Sequence, residues 1–114
     1  MPPDTEGATR VRVCAVDDLP VGEVAVVEAD GRRVAVFHTA DGVYAIDDRC
    51  THQEAALSDG FLDGCQVECP LHASFFDLRT GAPTGPPATV AVATYPAVVE
   101  GGAVHVDLPT AGPA

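Results

Sequence analysis

Apolar positions along this chain recur every second residue rather than every third or fourth. In RVRVCAV, residues 10 to 16, Val11, Val13 and Ala15 share one side. EVAVVEA (23–29), RRVAVFHTA (32–40) and GVYAI (42–46) follow, separated by Asp-Gly pairs at 30–31 and 41–42. Asp-Gly between β-rich runs is a hairpin signal, because the favoured tight turn needs positive φ. Near the C-terminus, TYPAVVE (94–100), Gly101-Gly102 and AVHVDL (103–108) read as a last hairpin. No window carries an apolar stripe of period 3.6. The pattern predicts an all-β antiparallel sandwich or partly open barrel with little helix.

Residues 47 to 89 break this rhythm. They are rich in Asp, Gly, Pro and Cys, with only short strand candidates: FLDG (61–64), QVEC (66–69) and SFFD (74–77). This is the pattern of a loop-rich subdomain inserted between flanking strands. Such a segment does not easily bury a core of its own, and a bound metal could hold it together. The ends, 1–9 and 109–114, are rich in Pro, Gly, Ala and Thr and read as flexible tails.

Composition narrows the possibilities. A chain of 114 residues is expected to form one domain. With 46% hydrophobic residues, 5% aromatic and no tryptophan, its core must be built mostly from Val, Ala and Leu. No apolar run approaches the roughly 20 residues that span a bilayer. MPPDTEGATR lacks the basic start and apolar stretch of a secretory signal. A soluble, cytoplasmic protein is expected. Net charge is −11, from 17 acids against six arginines and no lysine. Such a chain is repelled by nucleic acid and anionic membranes and suits a partner with a basic docking face.

The chemistry lies in four of the eight Cys and His residues. Cys50-x-His52 is followed, sixteen residues later, by Cys69-x-x-His72. Two loops, each bringing one thiolate and one imidazole, could hold one metal centre. Zinc accepts that set in a tetrahedron. A [2Fe–2S] cluster accepts it with both cysteines on one iron and both histidines on the other. A disulfide framework is the poorer reading, since two of the four cysteines stand beside histidines and no export signal is visible.

The second arrangement is the Rieske pattern, which this sequence closely resembles. CTHQ (50–53) matches the first loop and CPLH (69–72) the second, with LSDGFLDGCQVECPLH between and FDLRTGAPTGPP after. The resemblance spans about residues 10 to 108 and implies a single Rieske domain, with its cluster-binding subdomain at about 47–89. It implies that Cys50 and Cys69 bind the inner iron. It implies that His52 and His72 bind the outer iron, which takes up the electron. It also places Gly85-Pro86-Pro87 over the cluster.

The same resemblance bears on redox potential, which for Rieske centres runs from about −150 to about +300 mV. Relatives in quinol-oxidising complexes bridge the loops with two further cysteines, whose positions here are Ala55 and Leu71. They also place a serine and a tyrosine that donate hydrogen bonds to the cluster and a cysteine sulfur. Ser74 keeps the first, but Phe76 replaces the second. Losing a donor near sulfur disfavours the reduced cluster, as does the net negative charge. A low-potential ferredoxin is expected.

Such a ferredoxin takes one electron from an NAD(P)H-dependent flavoprotein reductase and passes it to a terminal oxygenase of the aromatic-ring dioxygenase type. It is an electron carrier rather than an enzyme, expected to be a monomer. The stretch after His72 is too short for an oxygenase's mononuclear iron domain. Gln53, Glu54, Ala73 and Pro87 would rim the docking face. Two other readings stay open: the small subunit of an assimilatory nitrite reductase, and a zinc-stabilised interaction module. Outside the constellation, Cys14, Cys65, His38 and His105 read as ordinary structural residues. The acidic pairs Asp17–Asp18 and Asp47–Asp48 read as solvated turns.

Overall fold

The computed structural model describes residues 8–29, 31–49, 55–70, 74–84 and 90–109. The described residues form ten strands: β1 (Ala8–Ala15), β2 (Val24–Ala29), β3 (Arg32–Thr39), β4 (Gly42–Asp47), β5 (Phe61–Asp63), β6 (Gln66–Glu68), β7 (Phe75–Asp77), β8 (Thr94–Tyr95), β9 (Ala97–Glu100) and β10 (Ala103–Pro109). Single 3-10 turns occupy Val16–Asp18 and Leu57–Asp59, and no α-helix occurs among the described residues.

Three antiparallel sheets result, with strand orders β1-β10-β9, β2-β3-β4-β8 and β5-β6-β7. None closes into a barrel, so the sandwich is the form the all-β expectation takes. The central sheet is apolar on both faces. Val34 and Val36 of β3 pack with Val104, Val106 and Leu108 of β10. Ala35 and Phe37, pointing the other way, pack with Leu57, Val67, Cys69 and Phe76. That two-sided burial explains the unbroken VAVF run, since a strand covered on both faces loses its polar side. Described residues within 57–78 bury apolar side chains by sharing a core with β3 and β4 rather than forming one of their own.

The hairpins follow their turn chemistry. Gly101 and Gly102 both have positive φ, 61° and 77°, and join Glu100 to Ala103. Between β3 and β4 the turn residues are Ala40 and Asp41, because Gly42 already pairs with Thr39. TYPAVVE is not one strand. Pro96 divides it, so that β8 pairs with β4 while β9 pairs with β10. A register shift between Arg12 and Cys14 likewise interrupts the expected alternation of β1, and both Val13 and Cys14 pack on the core. Residues 8, 9 and 109, expected in the tails, belong to strands, since β1 starts at Ala8 and β10 runs to Pro109.

Candidate metal centre

The described residues on either side of the two Cys-His segments form hydrogen-bonded closures. The first segment is closed at its foot by a bridge between Arg49 and Ala56. The Leu57 N–H reinforces it by donating to the Asp48 carbonyl at 2.5 Å. The second leaves β6 at Cys69 and re-enters β7, closed by the Cys69 N–H donating to the Ser74 carbonyl at 2.8 Å. Ala55, at the end of the first segment, packs on the same apolar cluster that contains Cys69. The described ends of both loops therefore rest on one core.

Cys69 is a free thiol only 2% exposed. Cys50, His52 and His72 lie outside the described residues, as do Leu71, the rim positions Gln53, Glu54, Ala73 and Pro87, and the Gly85-Pro86-Pro87 segment. What leads into that segment is described: Phe76 bridges Pro83, and the Thr84 N–H donates to the Phe75 carbonyl. Ser74 and Phe76 are both fully buried, Phe76 within the core that holds Cys69.

One expectation is overturned here. Asp17 and Asp18 are exposed, as expected of a solvated turn. Asp48 is not; it is 1% exposed. Its Oδ1 accepts from the Ser58 N–H at 2.7 Å and its Oδ2 from Arg33 Nε at 2.6 Å. Asp47 is half-buried and accepts from the Tyr95 hydroxyl at 2.6 Å. Burial, with the Asp47 bond next, pushes the Tyr95 phenol above its ordinary pKa. The hydrogen bonds that Arg33 donates to Asp48 and then to Glu28 raise its already high pKa. Arg32, Arg33 and Arg49, half of the chain's arginines, line a surface cavity of about 470 Å³ at the foot of the first loop. Local sequence could not reveal this cluster, because Arg33 reaches Asp48 from a different strand.

The other singled-out residues behave as structural ones. Cys14 is half-buried against the core, and burial raises its thiol pKa, away from the thiolate form that reacts. Cys65 packs beside the cluster-side core. His38 Nδ1 lies 2.6 Å from the Leu19 carbonyl, and His105 Nε2 lies 3.3 Å from that of Glu100.

The donor set and its setting fit a [2Fe–2S] group. A buried thiol with no disulfide partner, set where the hydrogen-bonded ends of two Cys-His segments rest on one apolar core, is a setting that suits such a group. Fold and site define an iron–sulfur electron-transfer domain. The chain belongs to the Rieske [2Fe-2S] domain family, whose family model matches residues 9–96. Its resident cofactor is a Rieske-type [2Fe–2S] cluster.

Within that family it is similar to the 3-phenylpropionate/cinnamic acid dioxygenase ferredoxin subunit of Shigella flexneri serotype 5b. The two are 45% identical over 105 residues, covering 91% of this chain and 98% of the relative. Among solved structures it is similar to the ferredoxin of carbazole 1,9a-dioxygenase from Nocardioides aromaticivorans IC177 (42% identity, TM-score 0.82, 86% of this chain and 96% of that one). It is also similar to a chain in a complex of reduced oxygenase and oxidized ferredoxin in carbazole 1,9a-dioxygenase (39% identity, TM-score 0.81, 85% and 91%).

Proposed function

We propose that this chain is the ferredoxin component of a multicomponent dioxygenase system. It receives one electron at a time from an NAD(P)H-dependent flavoprotein reductase and delivers it to a terminal oxygenase of the aromatic-ring dioxygenase type. It is an electron carrier and not itself an enzyme. One observation carries this reading: 45% identity to a dioxygenase ferredoxin subunit along 98% of that relative's length, in a chain with both halves of the Cys-His motif.

Cys50 and Cys69 would hold the cluster through thiolates, and His52 and His72 through imidazole nitrogens. The bound cluster supplies a one-electron couple. The chain's own contribution is positional. The buried Cys69 and the apolar core beneath it keep water from the sulfur side of the site. The carrier works in the cytoplasm; among the described residues no helix is long and apolar enough to cross a membrane.

The deciding experiment is an absorption and EPR spectrum, with iron and acid-labile sulfide assays, before and after dithionite. Two irons and two sulfides per chain are expected, with an EPR signal appearing only on reduction. Cys50→Ser, Cys69→Ser, His52→Ala and His72→Ala should each abolish that signal. A colourless, zinc-loaded protein would overturn the reading. Purification as a fixed stoichiometric complex with a nitrite-reducing enzyme would replace the shuttle with a subunit.

A further inference from the structure

We infer that Asp48 is a positioning residue for the first ligand loop: its buried carboxylate, held between Arg33 of β3 and the Ser58 N–H, fixes the two ends of the segment carrying Cys50 and His52. The inference rests on the reading of those two residues as ligands.

Four hydrogen bonds converge on this residue. Its N–H donates to the Arg33 carbonyl at 2.9 Å, and its carbonyl accepts from the Leu57 N–H at 2.5 Å. Its carboxylate takes the Ser58 N–H and Arg33 Nε. Residue 48 precedes the loop; residues 57 and 58 follow it; residue 33 belongs to the sheet beneath. One side chain thus ties entry, exit and platform together. Arg33 is in turn held by Glu28 at 2.7 Å, which keeps its guanidinium in place over Asp48.

A carboxylate this buried is costly unless both oxygens find donors, and here both do. The cost is sustained next to the loop, whereas the exposed Asp17 and Asp18 meet no such constraint. A bond made to a carboxylate is also stronger and more directional than a neutral one, which suits it to fixing a loop spacing. Asparagine replaces it only in part. With its amide oxygen on the Ser58 N–H, its NH₂ group would face the Arg33 donor.

The test is a chelator challenge of purified holoprotein, with the EPR spectrum of the reduced form as second readout. Cluster release should speed up roughly 10- to 100-fold in Asp48→Ala, the range typical of lost outer hydrogen bonds at metal sites, and by less in Asp48→Asn. The EPR lines should shift or broaden in the same order. Leu108→Ala, a cavity in the core on the opposite face of the central sheet, serves as control. It should lower the unfolding temperature yet leave spectrum and release rate near wild type. Wild-type release and EPR in Asp48→Ala would overturn the inference, as would equal acceleration in Leu108→Ala. If Asp48→Ala does not fold, Arg33→Met decides by the same two readouts, and no change there overturns it. Failure of the ligand reading is separate: Cys50→Ser would then keep the wild-type spectrum.

Discussion

Gly60 shows how little room the site leaves a single residue. A Cβ there would lie 2.1 Å from the backbone oxygen of Glu68, the residue before Cys69. The constraint is steric rather than torsional, since Gly60 has φ −83°. Gly60→Ala must push β6 away and disturb the seat of Cys69. A loss of about 1–3 kcal/mol is expected, the usual cost of overpacking, together with less iron per purified chain. Urea unfolding and an iron assay check both; an unchanged midpoint would mean that the close approach relaxes freely. Cys69 stood out in the sequence as a candidate ligand because its Cys-x-x-His step is paired with Cys50-x-His52. Asp48 did not. An Asp beside an Asp in a polar stretch looks solvated until a distant arginine is brought over it.

The strands differ in how they could be foreseen. β2, β3 and β4 and the β9–β10 hairpin are local pairings, announced by alternation and by turn residues that tolerate positive φ. The β1–β10 pairing joins residues almost a whole chain apart. Arg10 on β1 donates to Asp107 at 2.8 and 3.1 Å and to Glu100 at 3.1 Å. The hydrogen bond from Arg10 holds the Asp107 carboxyl below its ordinary pKa; burial opposes it, and the charge attraction of Arg10 adds a lesser lowering. A carboxyl with a lowered folded pKa adds stability above its unfolded pKa and loses it as pH falls through the folded one. Asp107→Asn should therefore lower the unfolding temperature slightly at pH 7, an exposed pair being worth little. The difference should vanish in acid, below the ordinary carboxylate range. Thermal melts of both proteins across that range check it; a gap that persists in acid would assign the effect to packing.

At the scale of the whole molecule, the β5-β6-β7 sheet lies on one face of the central sheet and the β1-β10-β9 sheet on the other. The net charge of −11 surrounds this arrangement. Attraction between such a surface and a basic partner face is long-ranged and screened by salt, acting mainly on the rate of encounter. Electron delivery to an oxygenase should slow as salt rises from about 0.01 to about 1 M, over which the Debye length shrinks from about 30 to about 3 Å. Stopped-flow kinetics measure this directly. A rate that ignores salt would mean that apolar contacts alone guide docking.

The sequence by itself determined the all-β class and the hairpins, and it marked the paired Cys-His motif as the candidate ligand set. Each depends on neighbours within a few residues, through alternation, turn torsions and ligand spacing. Only the tertiary structure decided that both faces of β3 are buried, that Pro96 hands the chain from one sheet to another, and that Asp48 meets Arg33. Those outcomes depend on which distant strands come to lie together, and no local pattern encodes the partner of a side chain before the sheets have packed.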